Sequence, residues 1–254
     1  MTATRTATPL VGARRTKTHL YYFNGAGPWP GVTTVINVLD KPALTKWHKE
    51  QVARAAVAHA ERLITDREAG DADAAVAYLL ALRDEGTVGR DRGARIHTAL
   101  EAILRREPYE LDPADEPAIA GARAWLNESH VKPLEVESFV INETAGYGGT
   151  LDLIAEIDGE VWLIDWKSSK TVAWPSGDVY DEMRYQLAGR AHAEFLARPA
   201  DPERYPVPPI TRFGIAHVTD AGTRLYETNV TEDDWTTFRA CLWIHGQRKR
   251  GKTA

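Results

Sequence analysis

The sequence predicts a mixed α/β (α+β) chain: a helical N-terminal portion followed by a mixed central sheet flanked by helices. Three observations predict it. Helical apolar spacing dominates before residue 131, β-prone runs bounded by glycine and asparagine begin at Lys132-Pro133, and three strands, a helix, two strands and a helix then follow. At 254 residues and 43% hydrophobic, the chain can bury one sizeable core. The expected organisation is a basic flexible arm over 1–20 and a single domain over 21–254. Within it, about 21–131 is mainly helical and 132–254 is the sheet core.

The elements follow in order. Tyr21 to Leu39 mixes aromatics, glycine and the β-branched run Val32-Thr-Thr-Val-Ile, which reads as a short strand or irregular segment. Asp40 can cap a helix with Pro42 in its first turn, running past Trp47 to Leu63. A second helix is expected over Asp71–Arg83. Gly86 and Gly89 should break the chain before an arginine-rich helix from about Arg90 to Arg106, and Pro108 stops it. A fourth helix covers about Glu116–Ser129. Strands are expected over Leu134–Ile141, Thr150–Ile157 and Val161–Trp166, the last two joined at Asp158-Gly159, a dipeptide suited to a tight hairpin. A helix over Asp178–Leu196, strands Ile210–Val218 and Arg224–Asn229, and a helix from Thr231 to near Lys249 complete the chain.

Charge and cysteine content narrow the function classes. Arg5, Arg14, Arg15 and Lys17 make the first twenty residues basic, and Arg248, Lys249, Arg250 and Lys252 do the same at the other end. The 31 Lys and Arg less these eight leave 23 cations against 36 acids in the body. So acidic a body is no general binder of polyanions, and a nucleic-acid ligand would need a local basic track and metal ions that offset clustered carboxylates. Cys241 alone supplies neither a disulfide nor an iron–sulfur cluster, which fits a reducing cytoplasm. The most apolar run, Ala74–Leu82, is well short of the ~20 residues that span a bilayer, so no membrane partner is expected.

The chemistry concentrates in Gly149-Thr-Leu-Asp152 and, thirteen positions on, Asp165-Trp-Lys-Ser-Ser169. Side chains alternate along a strand, so Asp165 and Lys167 share a face while Trp166 points away, and the intervening hairpin makes Asp152's strand the neighbour. Two carboxylates and one amine thus converge. Such a set suits a magnesium ion that keeps several waters, and phosphodiester hydrolysis needs both the cation and a nearby lysine to shield phosphate or orient water. Repulsion between the carboxylates predicts that removing either leaves stability unchanged or slightly higher. Gly148 and Gly149 suggest close approach of a ligand or another backbone.

At these residues the chain resembles the PD-(D/E)XK nuclease superfamily, in particular its RecB-like exonuclease branch, with a restriction-endonuclease-like core. The family pairs G-x-x-D on one strand with D/E-x-K on the next. It places a histidine in G-x-x-x-H on an earlier helix, here Gly93-Ala-Arg-Ile-His97, and a glutamine on the helix after the sheet, here Gln186 after Tyr185. The resemblance covers about Arg90 to Ala193. It implies His97, Asp152, Asp165 and the Trp166 carbonyl as ligands of Mg2+ or Mn2+, with Asp152, Asp165 and Lys167 catalytic. Glu101, Glu137 and Ser168 are possible outer supports, Glu137 for a second metal, although a solvated glutamate and cross-strand pairing explain the first two equally well.

The family's Q-x-x-x-Y is broken here by Arg190, which on the Gln186 face can clamp a phosphate or pair with Glu194. Arg92 and Arg95 are a candidate DNA track or a solvated face, and Trp29, Trp47 and Trp174 are candidate stacking groups or buried core tryptophans. The expected function is a metal-dependent DNA nuclease, chiefly an exonuclease acting on linear ends. A single-strand annealing recombinase is a possible partner, in a bacterial or phage-infected cell. The alternatives are a catalytically silent end-binding module and an endonuclease on the same core. No P-loop is present, so no use of ATP is expected.

Overall fold

The structure, a computed structural model, describes residues 11–82, 85–170 and 179–250. Strands Ala13–Arg15 (β1), Leu20–Phe23 (β2) and Ala26–Pro30 (β3) form a small antiparallel sheet. The flexible arm expected over 1–20 is corrected accordingly: its first ten residues lie outside the described residues, and Ala13 is buried with Tyr21, Phe23, Ile141 and Phe195. Val32–Ile36 (α1) is helical despite its β-branched run. Val32, Val35 and Ile36 fall at i, i+3 and i+4 and are all buried, and packing of that face outweighs strand propensity.

Four longer helices follow: Pro42–Ala58 (α2), Ala60–Glu68 (α3), Ala72–Leu82 (α4) and Glu85–Arg105 (α5). The chain divides into two compact units, Leu39–Arg95 and the remainder. In the first, the helix expected to reach Leu63 breaks at His59, whose ring packs edge-on against Tyr78 and hydrogen-bonds its hydroxyl at 3.1 Å. Gly86 and Gly89 do not break the chain, because α5 begins at Glu85. A glycine costs about 1 kcal/mol inside a helix, which burial of Ile96, Ala99 and Leu100 further along α5 can offset.

The second unit continues with Glu116–Glu128 (α6) and strands Lys132–Val136 (β4), Phe139–Asn142 (β5), Tyr147–Thr150 (β6), Leu153–Ile157 (β7) and Glu160–Ser168 (β8). Helix Asp181–Ala191 (α7) precedes strands Phe195–Arg198 (β9), Asp201–Tyr205 (β10), Arg212–Thr219 (β11) and Gly222–Thr228 (β12), and Glu232–Arg250 (α8) ends the chain's described part. A mixed sheet of order β12-β11-β8-β7-β4 has β11 and β8 parallel and its other neighbours antiparallel; a second sheet has the order β10-β9-β5-β6. The Asp158-Gly159 turn joins β7 to β8 with φ of 52° and 81°, the paired positive values of a tight hairpin. The helix expected to reach Leu196 stops at Ala191, because Phe195, Leu196 and Ala197 pair with β5. Its expected start, Asp178, lies outside the described residues.

One feature of this topology makes the site. The single strand expected over Leu134–Ile141 is two strands in two sheets, and its partner is divided likewise at Leu151-Asp152. Antiparallel pairing nevertheless continues through the crossover: Glu137 N–H donates to the Asp152 carbonyl and Leu151 N–H to the Ser138 carbonyl, both at 3.0 Å. A long hairpin therefore kinks at its middle, and Glu137 takes the left-handed conformation, φ 47°, that the kink requires. One face of the five-stranded sheet packs Leu153, Ile164 and Trp166 against Ile96 and Leu100 of α5 and Ile119 of α6. The other buries Ile154, Leu163 and Ile215 with Val140, Leu187 and Leu196.

Candidate functional site

Alternation along β8 sends Ile164 and Trp166 into the core beneath α5 and α6, so Asp165 and Lys167 emerge on the opposite face with α7 above them. Asp152 stands at the kink, with His97 of α5 beside it. The Asp152 carboxylate accepts the Trp166 N–H at 2.8 Å through Oδ2, and the same oxygen lies 4.0 Å from His97 Nδ1. His97, Glu137 and Asp152 each offer a donor atom within 4.8 Å of the others, and they are the one group of this kind found among the described residues.

Asp165 is held differently. It is buried, one oxygen paired with Lys167 Nζ and the other with Arg190. Arg190 is buried as well: its guanidinium reaches Asp152 at 3.5 Å, and its Nε donates to the Thr150 carbonyl at 2.9 Å. The expected phosphate-facing Arg190 is therefore corrected, since its donors turn inward to the carboxylates. Nor does it pair with Glu194, which instead accepts the backbone N–H groups of Glu143 and Thr144.

The two halves of the site titrate in opposite directions. Burial, then the charges of Asp152 and Glu101, push Glu137 up to about 8. Burial and the Asp165 charge likewise raise Asp152. Burial alone would raise Asp165 too, but Lys167 and Arg190 outweigh it and hold that carboxyl well below the usual carboxylate range.

The other expected residues take varied places. Gln186 is buried, 3.5 Å from Lys167 Nζ, and donates to Thr33 Oγ1 of α1 at 2.8 Å. Tyr185 lines a separate polar groove with Arg184, Thr228 and Asp234. Glu101 pairs with Arg105 at 2.8 Å, and Arg105 also donates to the Val136 carbonyl beside Glu137. Ser168 is the last residue of β8, and alternation carries its side chain to the Trp166 side, away from Lys167. Arg92 and Arg95 belong to the unit Leu39–Arg95, as does Trp47; Trp174 lies outside the described residues, and Trp29 packs on the cluster around Tyr21 and Phe23.

Sequence reasoning missed three contributors. Thr33 was hidden in a run read as β-prone. Ser169 and His217, hydrogen-bonded at 2.8 Å, stand beside Lys167 because β11 pairs His217 with it in parallel register, and that pairing is not readable from either segment alone. The glycines at 148 and 149 serve packing: a Cβ on Gly148 would lie 2.6 Å from Tyr21 Cβ and one on Gly149 2.9 Å from Val32 Cγ2. They let α1 approach closely enough for Thr33 to reach Gln186.

No family profile matches the chain. Over 84 residues it is 37% identical to human mitochondrial genome maintenance exonuclease 1, a match spanning 31% of this chain and 24% of that protein's length. A solved structure titled "Crystal structure of SSO0001" aligns over 73% of this chain and 68% of that one at 14% identity and a TM-score of 0.33. Partial similarity to an exonuclease thus accompanies a possible metal site at His97, Glu137 and Asp152. No helix among the described residues is long and apolar enough to cross a membrane.

Proposed function

We propose that the protein is a Mg2+- or Mn2+-dependent deoxyribonuclease that hydrolyses phosphodiester bonds at DNA ends. The observation that carries this reading is the gathering of His97, Glu137 and Asp152 within 4.8 Å of one another, one strand away from Asp165 and Lys167. The donor set fits a hard divalent cation. It is rich in carboxylate oxygen, and burial together with neighbouring negative charge raises both of its acids, which a divalent cation would offset. His97, Asp152 and Glu137 would hold the cation. Such a cation supplies Lewis acidity to the phosphate and acidifies a bound water.

The chain's own groups do the rest. Lys167, half-buried at the end of β8, offers an amine that Asp165 and the Gln186 amide oxygen orient, placed to donate to a phosphate oxygen. Thr33 fixes the Gln186 amide, so oxygen faces the lysine and nitrogen faces α1. The Trp166 N–H locks one Asp152 oxygen in place before substrate arrives. The partial likeness to an exonuclease supports end-directed action.

The test is to incubate end-labelled linear DNA and a closed circle of the same sequence with Mg2+. The linear DNA should be degraded from its ends and the circle spared, with all cleavage stopping once EDTA exceeds the metal. Cleavage persisting in excess EDTA would overturn the proposal, and nicking of the circle would reassign it to an endonuclease.

A further inference from the structure

We infer that Arg190 takes the place of a second divalent cation, so that the site binds one metal ion per chain. The inference rests on the metal-dependent reading above and asks what completes its charge balance. Asp165 on β8 and Asp152 at the kink just before β7 are both nearly inaccessible to solvent, so each needs a positive partner. One guanidinium supplies it to both, reaching Asp165 through Nη1 and Asp152 through Nη2. The same side chain anchors itself to the Thr150 carbonyl through Nε, so its fork is fixed from three sides. With Lys167 on the other Asp165 oxygen, that carboxylate has no oxygen left without a cationic partner.

Charge bookkeeping turns this geometry into a stoichiometry. Asp152, Asp165 and Glu137 carry three negative charges when ionised, and Arg190 and Lys167 carry two positive ones. Glu101, nearby, already has its own cation in Arg105. One divalent ion brings the five groups to a net charge of about +1, a balance that phosphate completes; a second would bring them to about +3 in a buried site, which Coulomb repulsion disfavours strongly. A guanidinium cannot lose its proton to make room.

The experiment counts bound Mn2+ by equilibrium dialysis and by the loss of its free-ion electron paramagnetic resonance signal, without DNA. Wild type should bind one Mn2+ per chain, Arg190→Gln two, and Arg190→Lys one, because lysine keeps the charge. Mn2+ should also raise the Tm of Arg190→Gln more than that of wild type, since the variant's carboxylates have lost their internal cation. If Arg190→Gln does not fold without metal, the wild-type and Arg190→Lys counts still decide. Two ions per wild-type chain would overturn the inference while leaving the nuclease reading intact, and so would one ion in a folded Arg190→Gln. No Mn2+ binding to wild type would instead remove the metal-dependent reading beneath it.

Discussion

Asp165 and Glu137 are two acids of one site with opposite fates. Asp165 is the more deeply buried, yet it stays ionised, because Lys167 and Arg190 hold its two oxygens. Glu137 is less buried, yet burial and the neighbouring charges of Asp152 and Glu101 push it up to about 8. Depth therefore does not decide the charge state; partners do. One half of the site is neutralised by the chain's own cations, and the other is left short of positive charge, which is where an added cation has the most to offset.

The largest test of this contrast is Asp165→Asn. It should abolish cleavage and lower stability by about 3 kcal/mol, toward the lower end for breaking a buried ion pair because Lys167 can turn to solvent. Denaturant melts of the metal-free protein check it. The sequence alone predicted unchanged or higher stability from relief of repulsion; pairing with Arg190 and Lys167 reverses that sign. Lys167→Ala should reduce single-turnover cleavage at least a hundredfold while Ca2+-supported DNA binding persists, and cleavage within about threefold of wild type would return Lys167 to an ordinary surface role.

Glu137→Gln probes the uncompensated half. A carboxyl raised from 4.5 to about 8 on folding contributes stability that is fully present below pH 4.5 and lost as pH rises toward 8. The metal-free variant should therefore match wild type near pH 4.5 and gain on it progressively up to pH 8, with no further change above. A Tm difference independent of pH would contradict the shift. Gly149→Ala should cost roughly 1–3 kcal/mol by forcing Val32 and α1 outward, with a smaller loss of activity as Thr33 moves from Gln186. The smallest effect belongs to Ser168→Ala, which should leave cleavage unchanged because its side chain leaves the strand on the Trp166 side.

Much of this was readable in advance where local pattern decides. The Asp158-Gly159 hairpin carries its own turn chemistry, and it alone places Asp152's strand beside Asp165. Alternation put Asp165 and Lys167 on one face. What was not legible depends on distant pairing. Nothing in Leu134–Ile141 signals that the strand changes sheets at Glu137. Cross-strand pairing and metal support were therefore equally open readings of Glu137, and only the kink, which brings it within reach of His97, separates them. Likewise Arg190 shares the helix face of Gln186, as spacing says, but spacing cannot say that the face is buried against two carboxylates. The helix at Val32–Ile36 was obscured because burial of one face overrode the preference of its β-branched residues.

The measurement that bears most directly on the divided site is the heat of Mn2+ binding at pH 7 in two buffers of different ionisation enthalpy. A cation that needs Glu137 as an anion must expel the proton that this carboxyl retains, so Mn2+ binding should release protons at pH 7 and release fewer as pH rises past 8. Equal heats in the two buffers at pH 7 would show that no proton leaves, and the claim that Glu137, Asp152 and His97 form the half awaiting a cation would be wrong.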